Sequence, residues 1–115
     1  MATVQADEAS EDAVNEVHLR GRWVGAQERE LPSGDVVVVG RVVVPRPAGG
    51  VDTLDCAVWA PGLRRRAMRL ADGALVDVTG CLRRRFWRTP AGASSRYEVE
   101  VTSVRRLSAP GSRGR

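Results

Sequence analysis

The sequence predicts an all-β fold, one small barrel of five strands with a single short helix between the third and the fourth. Three observations carry that prediction. Apolar residues alternate, or run together as β-branched stretches, five times between Val17 and Leu107; breaks rich in Gly, Pro and Ser separate these stretches; and helical spacing of apolar residues occurs once, at Pro61 to Leu70. The chain has 115 residues, 43% hydrophobic and 28% charged, which suits a single domain with one core.

The first strand begins at Val17, with Val17, Leu19, Gly21 and Trp23 on one face and His18, Arg20 and Arg22 on the other. "LPSG" (Leu31 to Gly34) is a turn, and "DVVVVGRVVV" after it is a second strand, apolar on both faces. One face suits the core and the other a second subunit, which predicts a homo-oligomer. "PRPAGG" (Pro45 to Gly50) can extend neither strand nor helix and is expected to be a mobile loop. In "TLDCAVW" (Thr53 to Trp59), Leu54, Cys56 and Val58 share the apolar face, and Thr53, Asp55 and Trp59 the other.

The helix starts at a proline and carries Leu63, Ala67 and Leu70 on one side. A long fourth strand runs from Leu75 into Trp87, the hairpin loop "TPAGASS" follows, and a fifth strand runs from Arg96 to about Leu107. Three strands, a helix and two strands is the connectivity of the OB-fold, a partly open Greek-key barrel whose face binds oligonucleotides or oligosaccharides. An SH3-like barrel has no natural place for that helix. The expected organisation is a flexible acidic arm at 1–14, the barrel at 15–107 and a flexible basic tail at 108–115.

All 18 basic residues are arginine, so a lysine-dependent phosphate loop or Schiff base is excluded. Residues 1–16 hold five acids and no base; the remaining 99 residues set 18 arginines against nine acids, a net charge of +9. So basic a body favours a polyanion, nucleic acid first, although genomic base composition also enriches arginine. Two cysteines and one histidine are too few for a zinc site, and Cys56 and Cys81 read as buried free thiols; no cofactor or metal is expected. No apolar run approaches the length of a membrane span and the N-terminus lacks the pattern of a secretion signal, so a cytoplasmic, nucleoid-associated protein is expected.

In "CLRRRFWR" (Cys81 to Arg88), Phe86 and Trp87 stand among four arginines. Alternation puts Val76, Val78, Gly80 and Leu82 on the core face, and Cys81, Arg83, Arg85 and Trp87 opposite them. Trp59 likewise falls opposite the core side of the third strand. Trp59 and Trp87 are therefore the candidate stacking residues, with Arg83 and Arg85 as phosphate contacts, and Arg41 and Arg22 complete the candidate set. Neither stacking nor phosphate contact reads a base edge, so binding is expected to tolerate sequence. Phe86, Trp23 and Tyr97 are assigned to packing. His18 has no nucleophile or carboxylate placed with it by a recognisable spacing, so no enzyme is expected.

The chain resembles the bacterial single-stranded DNA-binding protein family along "NEVHLRGRWVG", "LPSG", "VDTLDCAVWAPGL" and "DGALVDVTGCLRRRFWRTPAGASSRYEVEV", which together cover roughly residues 15–105 in the family's order. The resemblance implies an OB-fold, a homotetramer (a dimer being the alternative), and single-stranded DNA wrapped by stacking aromatics and basic side chains in replication, recombination or repair. It places Trp59 at the aromatic that closes the third strand, and Gly80, Arg83, Arg85 and Trp87 in the family's "G-x-L-x-x-R-x-W" pattern. Thr53 and the "PRPAGG" loop stand where many members carry further aromatics, which implies weaker binding per subunit or a shorter site. The family's acidic tail tip has no counterpart before Arg115, so tail-mediated recruitment of repair enzymes is not expected, and a short paralogue or accessory member is.

A primosome-like adaptor of the same descent, acting through protein contacts, is the competing function; retention of both tryptophans with their arginines weighs against it. Stacking and phosphate contacts leave RNA open as a ligand. The acidic arm is a candidate occupant of the empty groove.

Overall fold

The computed structural model describes residues 12–107. They form β1 (Val17–Glu30), β2 (Val36–Pro45), β3 (Val51–Val58), helix α1 (Pro61–Arg69), β4 (Ala74–Thr89) and β5 (Gly92–Arg106). The strands close a barrel in the order β1-β2-β3-β5-β4, with β3 and β5 parallel and every other pair antiparallel. That is the OB-fold connectivity, with the helix between β3 and β4 as the sequence predicts. Residues 1–11 of the acidic arm and all of the basic tail lie outside the described residues.

Closure depends on β1, which serves two partners. Val17 to Gly21 pair with β4, Arg22 and Trp23 pair with both β4 and β2, and from Val24, through a register shift at Val24/Gln27, the strand continues along β2 alone. Gly25, at φ 70°, supplies the left-handed residue of this irregularity, and its N–H donates to Asp72 Oδ1 (2.9 Å) in the turn before β4.

The inward residues of all five strands form the core: Trp23, Val38, Val42, Cys56, Val58, Val76, Val78, Val99, Val101 and Val104, closed at one end by Ala67 of α1. Trp23 is 1% exposed. Its ring lies over Gly40, where a Cβ would come within 2.6 Å of it. Its indole N–H donates to the Ala67 carbonyl (3.2 Å), one of the helix's final carbonyls. Pro61 opens α1, Arg66 and Arg69 lie in its last turn, and Leu63 and Leu70 pack on the core.

The β4–β5 hairpin changes character halfway along. A second register shift between Thr79 and Gly80 marks the place, and β1 pairs no further along β4 than Gly80. Two residues further along β4, the side-chain amide of Asn15 takes the place of a strand: it donates to the Leu82 carbonyl and accepts from the Leu82 N–H, both at 2.8 Å. From there the hairpin continues as a two-stranded ribbon.

That ribbon corrects three sequence expectations. Leu82, Phe86 and Tyr97 share parity with core residues, yet they are 42%, 69% and 57% exposed. Parity assigns them a face correctly, but the barrel wall has ended and nothing lies beneath that face. The hairpin loop is also shorter than "TPAGASS": the ladder runs unbroken to Thr89↔Gly92, leaving Pro90 and Ala91 as the tip, closed by Thr89 Oγ1 donating to the Gly92 carbonyl (2.9 Å). Small Ala and Ser residues read as a loop because they lack strand propensity, but pairing with β4 holds them in the ladder. "PRPAGG" does form a hairpin loop, closed by Arg46 N–H to the Gly50 carbonyl (2.9 Å). No helix among the described residues is long and apolar enough to cross a membrane.

Candidate nucleic-acid interface

Two neighbouring concavities run across the outer face of β2 and β3, beside the ribbon. The first, of about 440 Å³, has an apolar floor of Leu31, Val37, Val39, Ala57 and Trp59, and Arg29, Arg85, Trp87, Arg96 and Glu98 stand around it. The second, of about 370 Å³, shares Arg29, Val39, Arg96 and Glu98 with the first and extends past Arg41. Together they make one groove.

Each functional side chain is held there by a local cause. β3 ends at Val58, and the Trp59 backbone carbonyl is gripped by the Arg64 guanidinium of α1 (2.6 Å), which also donates to the Val36 carbonyl (3.2 Å). The Trp59 indole N–H is buried and finds no acceptor among the described residues, an orphan donor in the wall of the groove. Trp87, 44% exposed, hangs from the ribbon on the face of Arg85 and Arg83. The Arg85 guanidinium carbon sits 5.4 Å from the Trp59 ring centroid, and that of Arg96 sits 5.9 Å from Trp87. Two aromatic rings, each with a cation beside it, thus border a single open groove.

The arginines are not all equivalent. Arg85 Nε donates to Glu98 Oε2 (2.7 Å), and Arg83 Nε donates to Glu100 Oε1 (2.9 Å). That second hydrogen bond, with the carboxylate's charge, raises the Arg83 pKa further above its ordinary value. Glu98 is only 7% exposed, so its charge is matched by Arg85 rather than by water. Among the described residues no carboxylate pairs with Arg29, Arg41 or Arg96.

Of the six residues singled out from sequence, Trp59, Trp87, Arg85 and Arg41 line the groove. Arg83 shares the ribbon face but lines neither concavity. Arg22 stands apart at the β1–β4 side, where Nη1 donates to the Gly73 carbonyl (3.4 Å). Nearby, exposed His18 meets Asp77 at 2.7 Å. The Asp77 carboxyl is held below its ordinary range, first by that hydrogen bond and with help from Arg105 and Arg20.

Sequence reasoning missed Arg29, Arg96 and Glu98. Alternation in β5 carried a signal for two of them, since Arg96, Glu98 and Glu100 interleave with Tyr97, Val99 and Val101. Arg29 reaches the groove because the extra residue at the Val24/Gln27 irregularity reverses the alternation of β1 and sets Arg29 opposite Val37, which a linear pattern does not show. The second apolar face of β2 is also partly explained within one chain: Val37, on the groove floor, is already 4% exposed without a second subunit.

No protein-family model matches the chain, and no curated protein matches it in sequence. Among solved structures the chain is similar to a Plasmodium falciparum SSB in complex with ssDNA, at 20% identity over 84% of this chain and 97% of that one, with a TM-score of 0.67. At that identity the likeness is one of fold, and it agrees with the OB-fold barrel.

Proposed function

We propose that the protein binds single-stranded DNA in the Trp59–Trp87 groove, without catalysis and with little dependence on sequence, in the service of replication, recombination or repair. The observation that carries this reading is the placement of both tryptophans on one open groove with Arg29, Arg41, Arg85 and Arg96. A duplex buries its bases' π-faces in the stack, whereas a single strand offers them to the rings while its phosphates meet the guanidinium groups. The fold likeness to a protein solved with ssDNA supports the same ligand. The assembly proposed is a homo-oligomer, a tetramer before a dimer.

A second reading has one observation in its favour. Glu98 and Glu100 engage Arg85 and Arg83 and so reduce the charge available to phosphate, as suits an adaptor that works through protein contacts. Titration with oligo-dT and with a matching duplex at two salt concentrations separates the two. DNA binding predicts single-strand preference and a salt slope of roughly −0.7 per phosphate contacted; absence of both would leave the adaptor.

A further inference from the structure

Helix α1 seals the barrel with one face and turns the other outward. Leu63, Ala67 and Leu70 pack on the core, and Arg64 is engaged by the Trp59 and Val36 carbonyls. Arg65, Arg66 and Arg69 are exposed, and Met68 among them is 45% exposed. Arg65, Met68 and Arg69 line a concavity of about 350 Å³, which Glu28 also lines. Among the described residues no carboxylate pairs with Arg65, Arg66 or Arg69. The carbonyl end of the helix favours Arg66 and Arg69 in its last turn. It accounts neither for Arg65, which repels Arg69 one turn away, nor for an exposed methionine between them.

The complementary charge lies in the same chain. Val4, Asp7, Glu8, Glu11 and Asp12 are spaced as one face of a helix, four acids with an apolar residue ahead of them. We infer that the acidic arm of one copy docks on the α1 face of a neighbouring copy, with its acids on Arg65, Arg66 and Arg69 and Val4 against Met68. Apart, each surface holds like charges four residues apart; together they replace both repulsions with ion pairs. Within one chain the two surfaces are kept apart. Asn15 is pinned to Leu82, and Trp23, whose indole reaches α1, lies about 20 Å further along β1 than Val17. Asp12, three residues from Asn15, spans at most about 11 Å from it, so the four acids together meet a neighbour's helix and not their own. The groove is the poorer host, because Glu98 and Glu100 already stand beside its arginines. Nucleic acid would find no aromatic ring beside these arginines and would leave Met68 unused. The contact is head to tail, so it adds copies one after another.

Sedimentation velocity at low salt tests this with wild type and two full-length variants. D7N/E8Q/E11Q/D12N keeps the helix face and loses the arm's charge; R65E/R69E keeps the arm and reverses the helix face. Wild type should associate increasingly as its concentration rises, and the effect should fade near about 0.5 M salt. Each variant alone should need about tenfold or more protein to associate equally. An equimolar mixture of the two should regain one added contact per pair, because one copy supplies the helix and the other the arm. Thermal melts check that R65E/R69E folds, and the arm variant leaves the barrel untouched. Association of either folded variant at the wild-type concentration would overturn the inference. So would a mixture that regains nothing, which would assign the losses to net charge or to a contact within one chain. An R65E/R69E protein that associates normally but binds oligo-dT weakly would make α1 a nucleic-acid surface instead. The inference does not draw on the groove, and failure of wild type to bind oligo-dT would overturn that reading alone.

Discussion

The two halves of β4 obey the same alternation and come to opposite ends. From Ala74 to Gly80 the inward residues Ala74, Val76, Val78 and Gly80 are buried, because β1 flanks them on one side, β5 on the other, and Trp23 and the valines fill the barrel beneath. From Leu82 to Thr89 the strand keeps its partner β5 but loses β1, and the same parity now exposes Leu82 and Phe86. A strand's pattern therefore names its faces, and the number of neighbouring strands decides whether a face is core. For the proposed function the consequence is direct: the half released from the core is the half that carries Trp87 and Arg85.

The largest expected contrast is in stability. Trp23→Ala removes a filled barrel centre and should cost about 3–5 kcal/mol, whereas Trp87→Ala, on the ribbon, should stay within roughly 0.5 kcal/mol of wild type. Urea unfolding of the two variants checks this, and comparable losses would mean that the ribbon is packed after all. A smaller effect concerns affinity. Glu98→Gln releases Arg85 from its ion pair, so oligo-dT binding should tighten by a few-fold and the salt slope should steepen by about 0.7, at some loss of stability from disturbing a buried pair. Weaker binding would show instead that Glu98 matters by aiming Arg85 at Trp59.

The smallest contrast is between the two thiols. Burial pushes the Cys56 thiol up to about 12, aided by the nearby Asp55 and Glu98 charges, while Cys81, at the junction of the two halves, is half-buried. A maleimide at neutral pH should therefore label one cysteine per native chain, at Cys81, and both after unfolding. Because the folded state holds the Cys56 proton more tightly than the unfolded chain does, stability should fall as pH rises from about 9 towards 12. Labelling of Cys56 at the rate of Cys81 would show that the barrel opens readily.

Much of this was legible in the sequence, for reasons that the halves of β4 make clear. The five strands, the helix and the inward placement of Trp23, Cys56, Val76 and Val78 follow from local periodicity, which the backbone imposes wherever a strand is flanked on both sides. The pairing of Trp59 with Trp87 across one groove was only half legible. Alternation placed each ring outside the core, but their meeting depends on how the ribbon leaves the barrel after Gly80. The engagement of Arg83 and Arg85 by Glu100 and Glu98 was hidden for a related reason: the partners lie 13 to 17 positions apart in the chain, and only the β4–β5 register brings them together. Phe86 and Tyr97 were misassigned because a parity rule carries no information about where a barrel ends.

The most direct test of the groove uses the protein's own fluorescence. Oligo-dT is titrated against wild type, Trp59→Phe, Trp87→Phe and the double variant, with buried Trp23 as an internal reference. Stacking of bases on both rings predicts strong quenching in wild type, part of it lost with each single substitution, and in the double variant only the unquenched emission of Trp23. Quenching that survives in the double variant, or wild type that binds oligo-dT without any quenching, would contradict the placement of the bases on Trp59 and Trp87.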